Sequence, residues 1–418
     1  MKINKLIRSL IFLVAVALVG SASADLELRI SKKSSRGIPV VIAPMAGGAH
    51  TIIEADLNRS GRFKIISSQR ATNMATFGSA LDPARLKMLG AAFIVRGRRS
   101  EAGLDIEIIS TASGKRDASY RIGNLPNQRR VAHQAADKIF EQLVKIKGAF
   151  DTRLVYVTVT GRAISDREYK LFVADADGYN PRAILTSRKP VMSPSWSADG
   201  SQIAYVSFER GTPAIYVQNI FTGQKKMVSS RRGINGAPSW SPDGSKLALS
   251  LSVDGNPEVY ILSLTNGAFK RLTNSRAIDT EPNWTKDGRS IIFTSDRGGR
   301  PQLYKIPANG GSSRRVTFDG SYNSAADVVG DKIAFVRRVS GAFRVAVMED
   351  GQRGARVVSD GRFDESPSLA PNATMVVYAT QNRGRGTLSV VSDNGYAKQE
   401  LLSPGGDVRE PAWSPYLR

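Results

Sequence analysis

The chain has 418 residues, room for two or three domains, and its 41% apolar and 23% charged residues are a globular balance. It contains no cysteine, which excludes a disulfide framework, a thiolate metal site and a cysteine nucleophile. With 59 Lys+Arg against 37 Asp+Glu the formal charge is +22, a balance that suggests acidic partners, nucleic acid or an anionic envelope surface.

In chain order, the first 24 residues have the layout of a secretory leader. Lys2, Lys5 and Arg8 precede an unbroken apolar run at residues 10–19, and Ala22, Ser23 and Ala24 supply small residues for cleavage after Ala24. The run is too short to cross a bilayer, no later run is long enough, and no cysteine follows to carry a lipid. The mature chain is therefore expected to start at Asp25, outside the cytoplasm. The arginine pairs 98–99, 129–130, 231–232, 314–315 and 337–338 are scattered, so the charge reads as a solvated basic surface and no nucleic-acid partner is expected.

Residues 25–147 read as an α/β domain. "PVVIAP" at 39–44 is a short buried strand, and residues 51–57 have helical spacing that stops at a turn with Gly61. Asp82-Pro83 opens a second helix. Residues 93–95 form a strand, and Leu104, Ile106 and Ile108 alternate as in a strand covered on one face. The longest helix spans 128–144, with Ala132, Ala135, Ala136, Ile139, Phe140, Leu143 and Val144 as its apolar stripe. The domain boundary falls within 145–153.

From residue 154 short apolar strands recur between Gly, Asp, Asn and Pro, without helical runs. "PSWSADGSQIAYVS", "PSWSPDGSKLALS" and "PNWTKDGRSIIFTS" place Trp196, Trp240 and Trp284 at intervals of 44 residues. The series continues through Ala326 and Leu369 to Trp413 as positions equivalent to these tryptophans. Strands of the "IAYV" kind start at 154, 203, 247, 291, 333 and 376. A period in the low forties with four strands per unit predicts a β-propeller. The unmatched "LVYV" start and "PAWSP" finish combine into one blade. The predicted fold is thus an α+β N-terminal domain (an α/β sandwich) followed by an all-β six-bladed propeller, residues 148–418, whose C-terminal strand closes the first blade. The Trp, Asp and Gly of the repeat are structural residues.

Chemistry is sparse. His50 and His133 are the only histidines and both precede the propeller, so no Ser-His-Asp set or multi-histidine metal site can be built on it. "DADGYN" at 175–180 looks like part of a calcium loop, but the other repeats carry hairpin turns at that place, so no metal and no cofactor are expected. Asp279 with Glu281, Asp364 with Glu365, and Asp296 leave a two-carboxylate glycan hydrolase as the alternative to a binding scaffold.

The ordered phrases "IKGAFDTRLVYV", "DADGYNP", "MSPSWSADGSQIAYVSFE", "NGAPSWSPDGSKLALSLS", "TEPNW", "DESPSLAPNATMVVYA" and "PAWSPYL" resemble the TolB family of Gram-negative envelopes along essentially all of 25–418. Thr285-Lys286 and "SAADVVGDKIAF" depart from that pattern. The resemblance implies a monomeric periplasmic scaffold of the Tol–Pal system, not an enzyme, which helps maintain outer-membrane integrity and invagination during cell division. It implies two partners, the lipoprotein Pal and the protein TolA, with further outer-membrane or peptidoglycan-associated proteins in reach. By the family's pattern the loops before the Pro-x-Trp strands form a Pal site at one propeller mouth: Met192, Ser193, Ile234, Asn235, Gly236, Ala237, Asp279, Thr280, Glu281, Asp364, Glu365 and Ser366. The acidic members would meet a partner's Lys or Arg, with Ile234 and Ala237 at the apolar centre. The TolA site would be the mature start, Asp25, Leu26, Glu27, Leu28, Arg29 and Ile30, whose alternation suits strand addition to a partner sheet.

Overall fold

A computed structural model describes residues 37–417. The leader, its cleavage point at Ala24 and residues 25–30 lie outside the described residues.

Strand β1 (Ile38–Ile42) runs parallel to β2 (Phe63–Ile66) and to β3 (Phe93–Ser100), and β4 (Gly103–Ser110) and β5 (Arg116–Gly123) continue the sheet antiparallel, in the order β2-β1-β3-β4-β5. Helices α1 (Ala49–Arg59) and α3 (Gln128–Val144) pack together on one face, while α2 (Pro83–Met88) and a short 3-10 turn cover the other. Asn127 caps α3 by accepting the N–H groups of Arg129 and Arg130 at 3.0 and 3.4 Å, and Asp82 caps α2 through Ala84 N–H at 2.9 Å. The expectation that β4 is covered on one face only is corrected. Asp105 and Glu107 on its other side are buried too, because arginines neutralise them: Arg121 and Arg98 on Asp105, Arg96 and Arg116 on Glu107.

Six four-stranded antiparallel sheets follow, one per blade. The inner strand of blade 1 is the C-terminal strand Asp407–Trp413, which pairs antiparallel with Arg153–Thr160, Trp413 opposite Leu154. This closure builds one blade from both ends of the propeller sequence and completes the ring of six. Inner strands of blades 2 to 6 are Val191–Trp196, Asn235–Trp240, Asp279–Trp284, Asn323–Val329 and Glu365–Leu369. Each of the six carries a register shift around one non-glycine residue in the left-handed region: Ser193, Ala237, Glu281, Ala325, Ser366 and Glu410, with φ between 44° and 53°. These bulges ring a central channel of about 880 Å³.

The tryptophans join neighbouring blades. The indole N–H of Trp196 donates to Ala412 O, that of Trp240 to Ser195 O and that of Trp284 to Ser239 O, at 3.1–3.2 Å, in each case on the preceding inner strand. In blade 5 the equivalent position is Val328, which corrects the assignment to Ala326. Val328 faces Ile333 as Trp284 faces Ile291, and Asp327 faces Ala334 as Asn283 faces Ile292. With the indole gone, Asp327 takes over the stitching. It accepts from Asn283 Nδ2 at 3.1 Å on one side and from Leu369 N–H at 2.6 Å on the other.

The N-terminal domain docks on the end of the propeller opposite the loops that lead into the inner strands. One face of α3 carries the contact. Arg130 makes a two-point ion pair with Asp151 at 2.9 Å, Gln134 donates to the same carboxylate at 2.8 Å, and Asp137 accepts from Phe150 N–H at 2.7 Å. A Cβ on Gly148 would lie 2.4 Å from the Asp137 backbone, so this linker position demands glycine. His133, fully buried, joins Asp56 of α1 at 2.6 Å and lies 3.5 Å from Asp177 in the "DADGYN" hairpin. Arg59 and Arg129 pair with those same two carboxylates. On the far side of the junction Arg62 pairs with Asp393 of blade 6 at 2.6 Å.

Candidate partner-binding surface

The mouth away from the N-terminal domain is built by the loops that carry each outer strand into the next inner strand. Four of them enter the inner strand through a buried Asn or Asp that ties the loop down. Asn235 accepts from Ser229 Oγ and Arg231 N–H at 2.7 and 3.0 Å and donates to Arg231 O at 2.6 Å. Asp279 binds Arg297 at 2.6 Å. Asn323 donates to Gln302 Oε1 and Asp319 O at 2.8 and 2.9 Å. Asp364 accepts from Gly361 N–H at 2.9 Å and from the hydroxyls of Ser359 and Thr380.

These ties place the expected site residues unevenly. Asn235, Asp279 and Asp364 are buried, with Asp279 and Asp364 at 0% exposure. The picture of Asp279 and Asp364 as acids reaching for a partner's cations is corrected, because both are buried, Asp279 against Arg297 and Asp364 against Gly361 N–H and the hydroxyls of Ser359 and Thr380. Burial, the largest influence on Asp279, pushes its carboxyl up, against the pull of Ser295 and Arg297. Glu281 is half-buried, and its carboxylate crosses to blade 5 by accepting from Ala325 N–H and Thr294 Oγ1, both at 2.8 Å. Glu410 makes the matching bond to Ser193 N–H, and burial pushes its pKa up. Met192, Ser193, Gly236, Ala237, Thr280 and Ser366 are half-buried on the inner strands, while Glu365 and Ile234 are exposed.

Each loop tie also projects the residue before it. Ile234, Ile278 and Phe363 are 48%, 49% and 45% exposed, and half-buried Tyr322 holds the same place between them. An apolar collar thus runs over four consecutive blades. Ile278, Tyr322 and Phe363 were missed by sequence reasoning. Their signal is the repeated pair of one apolar residue and one Asn or Asp: Ile234-Asn235, Ile278-Asp279, Tyr322-Asn323, Phe363-Asp364.

A metal reading attaches to one other cluster. His133, Asp175 and Asp177 present ligand atoms within 4.8 Å of one another. Arg129 and Arg59 flank these groups, and Asp177 is held below the usual carboxylate range. Burial works the other way as its largest influence, and His133, Arg59 and Arg129 overcome it. With Asp177 already matched by Arg129 and His133, and Asp175 bonded to Asn180, the cluster reads as a polar network joining two domains.

Fold and surface define a class: a six-bladed propeller, capped at one end by an α/β domain, that presents an exposed apolar collar at the other. The family model described as the TolB amino-terminal domain matches residues 26–114, and that of the TolB beta propeller domain matches 140–417. The chain belongs to the TolB family. It is 49% identical over 435 aligned residues to the Tol-Pal system protein TolB of Xanthomonas euvesicatoria pv. vesicatoria, covering 99% of both chains, and equally so to that of Xanthomonas axonopodis pv. citri. Its fold is similar to the crystal structure of TolB from Acinetobacter baumannii, with a TM-score of 0.84 and 38% identity over 93% of this chain and 99% of that one.

Proposed function

We propose that this protein is a periplasmic scaffold of the Tol–Pal system. In this reading residues 1–24 are a secretory leader, 25–147 form the cap domain and 148–418 the propeller. The propeller mouth holds the lipoprotein Pal, and residues 25–30 engage TolA, so that the protein supports outer-membrane integrity and invagination during division. The observation that carries the reading is the collar of Ile234, Ile278, Tyr322 and Phe363 on a TolB-family propeller, an exposed apolar patch of the kind that marks a protein interface. The burial of Asp279 and Asp364 weighs against a two-carboxylate hydrolase. No helix among the described residues is long and apolar enough to cross a membrane.

The test is calorimetry with the soluble domain of Pal and, separately, with the domain of TolA that receives the N-terminal segment. Ile278→Ala with Phe363→Ala should weaken Pal binding and spare TolA. Deleting residues 25–33 should abolish TolA binding. If the collar variant binds Pal like the wild type, the mouth is not the Pal site. If the truncated chain still captures TolA, the N-terminal assignment fails.

A further inference from the structure

The collar is rimmed by cations. Exposed Arg231 and Arg232 lie in the loop before Ile234, Arg276 precedes Ile278, and Arg362 adjoins Phe363, with its guanidinium 5.6 Å from that ring. Arg338 donates its N–H to Tyr322 O at 3.1 Å, and Arg300 belongs to the hairpin whose Asp296 accepts from Ile278 N–H at 2.8 Å. Arginine pairs far apart in sequence, 231–232 and 337–338, therefore meet on one face of the ring.

Most acids of the same loops are already engaged. Asp279 is committed to Arg297, Asp254 to Arg271, Asp364 to its own loop and Asp296 to the Ile278 backbone. Glu365, Asp319 and Asp360 are exposed, the last paired with Lys398. At the other end of the blades the turns carry exposed Asp199, Asp243, Asp287 and Asp331. At the mouth the acids are mostly buried or engaged and the arginines face outward.

We infer that the mouth of this chain selects a protein partner with an acidic collar around an apolar projection. This rests on the mouth being the Pal site, and it adds the partner's chemistry. Guanidinium groups bind carboxylates as two-point forks, and around an apolar floor those bonds are less screened than in open water. A ring of like charge also steers an oppositely charged partner during diffusion, so the rim acts first on the association rate. The apolar collar, desolvated once the partner is seated, acts on dissociation.

The experiment measures association and dissociation rates of the full chain with the soluble Pal domain from low salt to about 0.3 M. The wild-type association rate should fall on the order of tenfold or more across that range. Arg232→Glu, Arg276→Glu and Arg362→Glu together should lower the low-salt association rate by a similar factor and flatten its salt dependence. The three Arg→Gln changes should lie between. Ile278→Ala with Phe363→Ala should speed dissociation and leave the salt slope as it is. All three arginines are exposed, and a melting curve matching the wild type shows the variants are folded. A salt-independent wild-type rate, or a triple Arg→Glu variant that associates like the wild type, overturns the inference and leaves the Pal assignment standing. So does a triple variant that loses retention on phosphatidylglycerol vesicles but keeps its Pal kinetics, since the rim would then serve a lipid surface. Absence of wild-type binding at every salt concentration overturns the Pal assignment and the inference together.

Discussion

The two ends of the propeller use charge in opposite ways. At the docked end Asp56, Arg59, His133 and Asp177 are removed from water and matched to one another, along with Arg129, across three elements and two domains. At the open end Arg231, Arg232, Arg276 and Arg362 face solvent around an apolar collar. Buried charges have been desolvated once, during folding, and any change of partner there is costly. Exposed charges keep their hydration until another molecule arrives, and until then they add little to stability. The same residue types thus make a permanent joint at one end and a receptive surface at the other.

The strongest test of that contrast deletes one charge from each end. Asp56→Ala leaves Arg59 and His133 buried without their shared counter-ion, and should cost about 3–5 kcal/mol. Arg276→Ala should stay within about 0.5 kcal/mol of wild type, as exposed substitutions away from structural contacts do. Urea unfolding of the two variants decides it. Equal stabilities would remove the distinction between the ends.

The sequence made part of this arrangement readable and hid the rest for physical reasons. Helix α3 was legible to its limits, 128–144, because its apolar stripe is long. Blade closure was legible from the unmatched "LVYV" and "PAWSP", whose pairing the register of Trp413 with Leu154 realises. Val328 was not legible, because loss of the indole removes the marker and its substitute, Asp327, reveals its role only in three dimensions. Asp279 and Asp364 look like surface acids in a list of loop residues. Their burial depends on Arg297 and on Ser359 and Thr380, groups supplied by other strands and turns. His133 looked like one histidine on an amphipathic helix, since its partners Asp56 and Asp177 are far away in the chain.

A second comparison stays within the mouth and separates neighbours. Asp364→Ala removes an internal acceptor and strands Ser359 and Thr380, which should cost about 1–3 kcal/mol of stability. Phe363→Ala, one residue earlier and exposed, should leave the melting temperature close to wild type and weaken Pal binding by about 1 kcal/mol or more. Melting curves and calorimetry on both proteins sort the pair. Reversed results would mean that the acid is the contact and the ring the support.

The smallest effect is a pH dependence confined to the docked end. The charged groups facing one another there are Asp56 and Arg59 from α1, Arg129, Arg130, His133 and Asp137 from α3, Asp151 from the linker, and Asp175 and Asp177 from the hairpin. Burial, the largest influence on His133, opposes its charge, but Asp56 and Asp177 outweigh it and the pKa is raised. Burial raises Asp137 to about 7, against two backbone N–H donors. Asp175 is raised as well, again chiefly by burial. A group whose folded pKa is raised stabilises most below its unfolded value, and that contribution is lost as pH climbs through the folded one. All three groups therefore favour docking under mildly acidic conditions. Asp177 has the opposite sign, but its lowered pKa confines its loss to pH values below about 4, under the ordinary carboxylate range. Between about pH 4 and 7 the stability of the junction should fall as pH rises, with His133 extending the decline above its ordinary range. Urea unfolding across that range should show the decline in the wild type and a shallower slope in the double variant His133→Gln, Asp137→Asn. The mouth variants, which leave these groups in place, should keep the wild-type slope. A double variant that also keeps it would place the titrating groups elsewhere in the molecule.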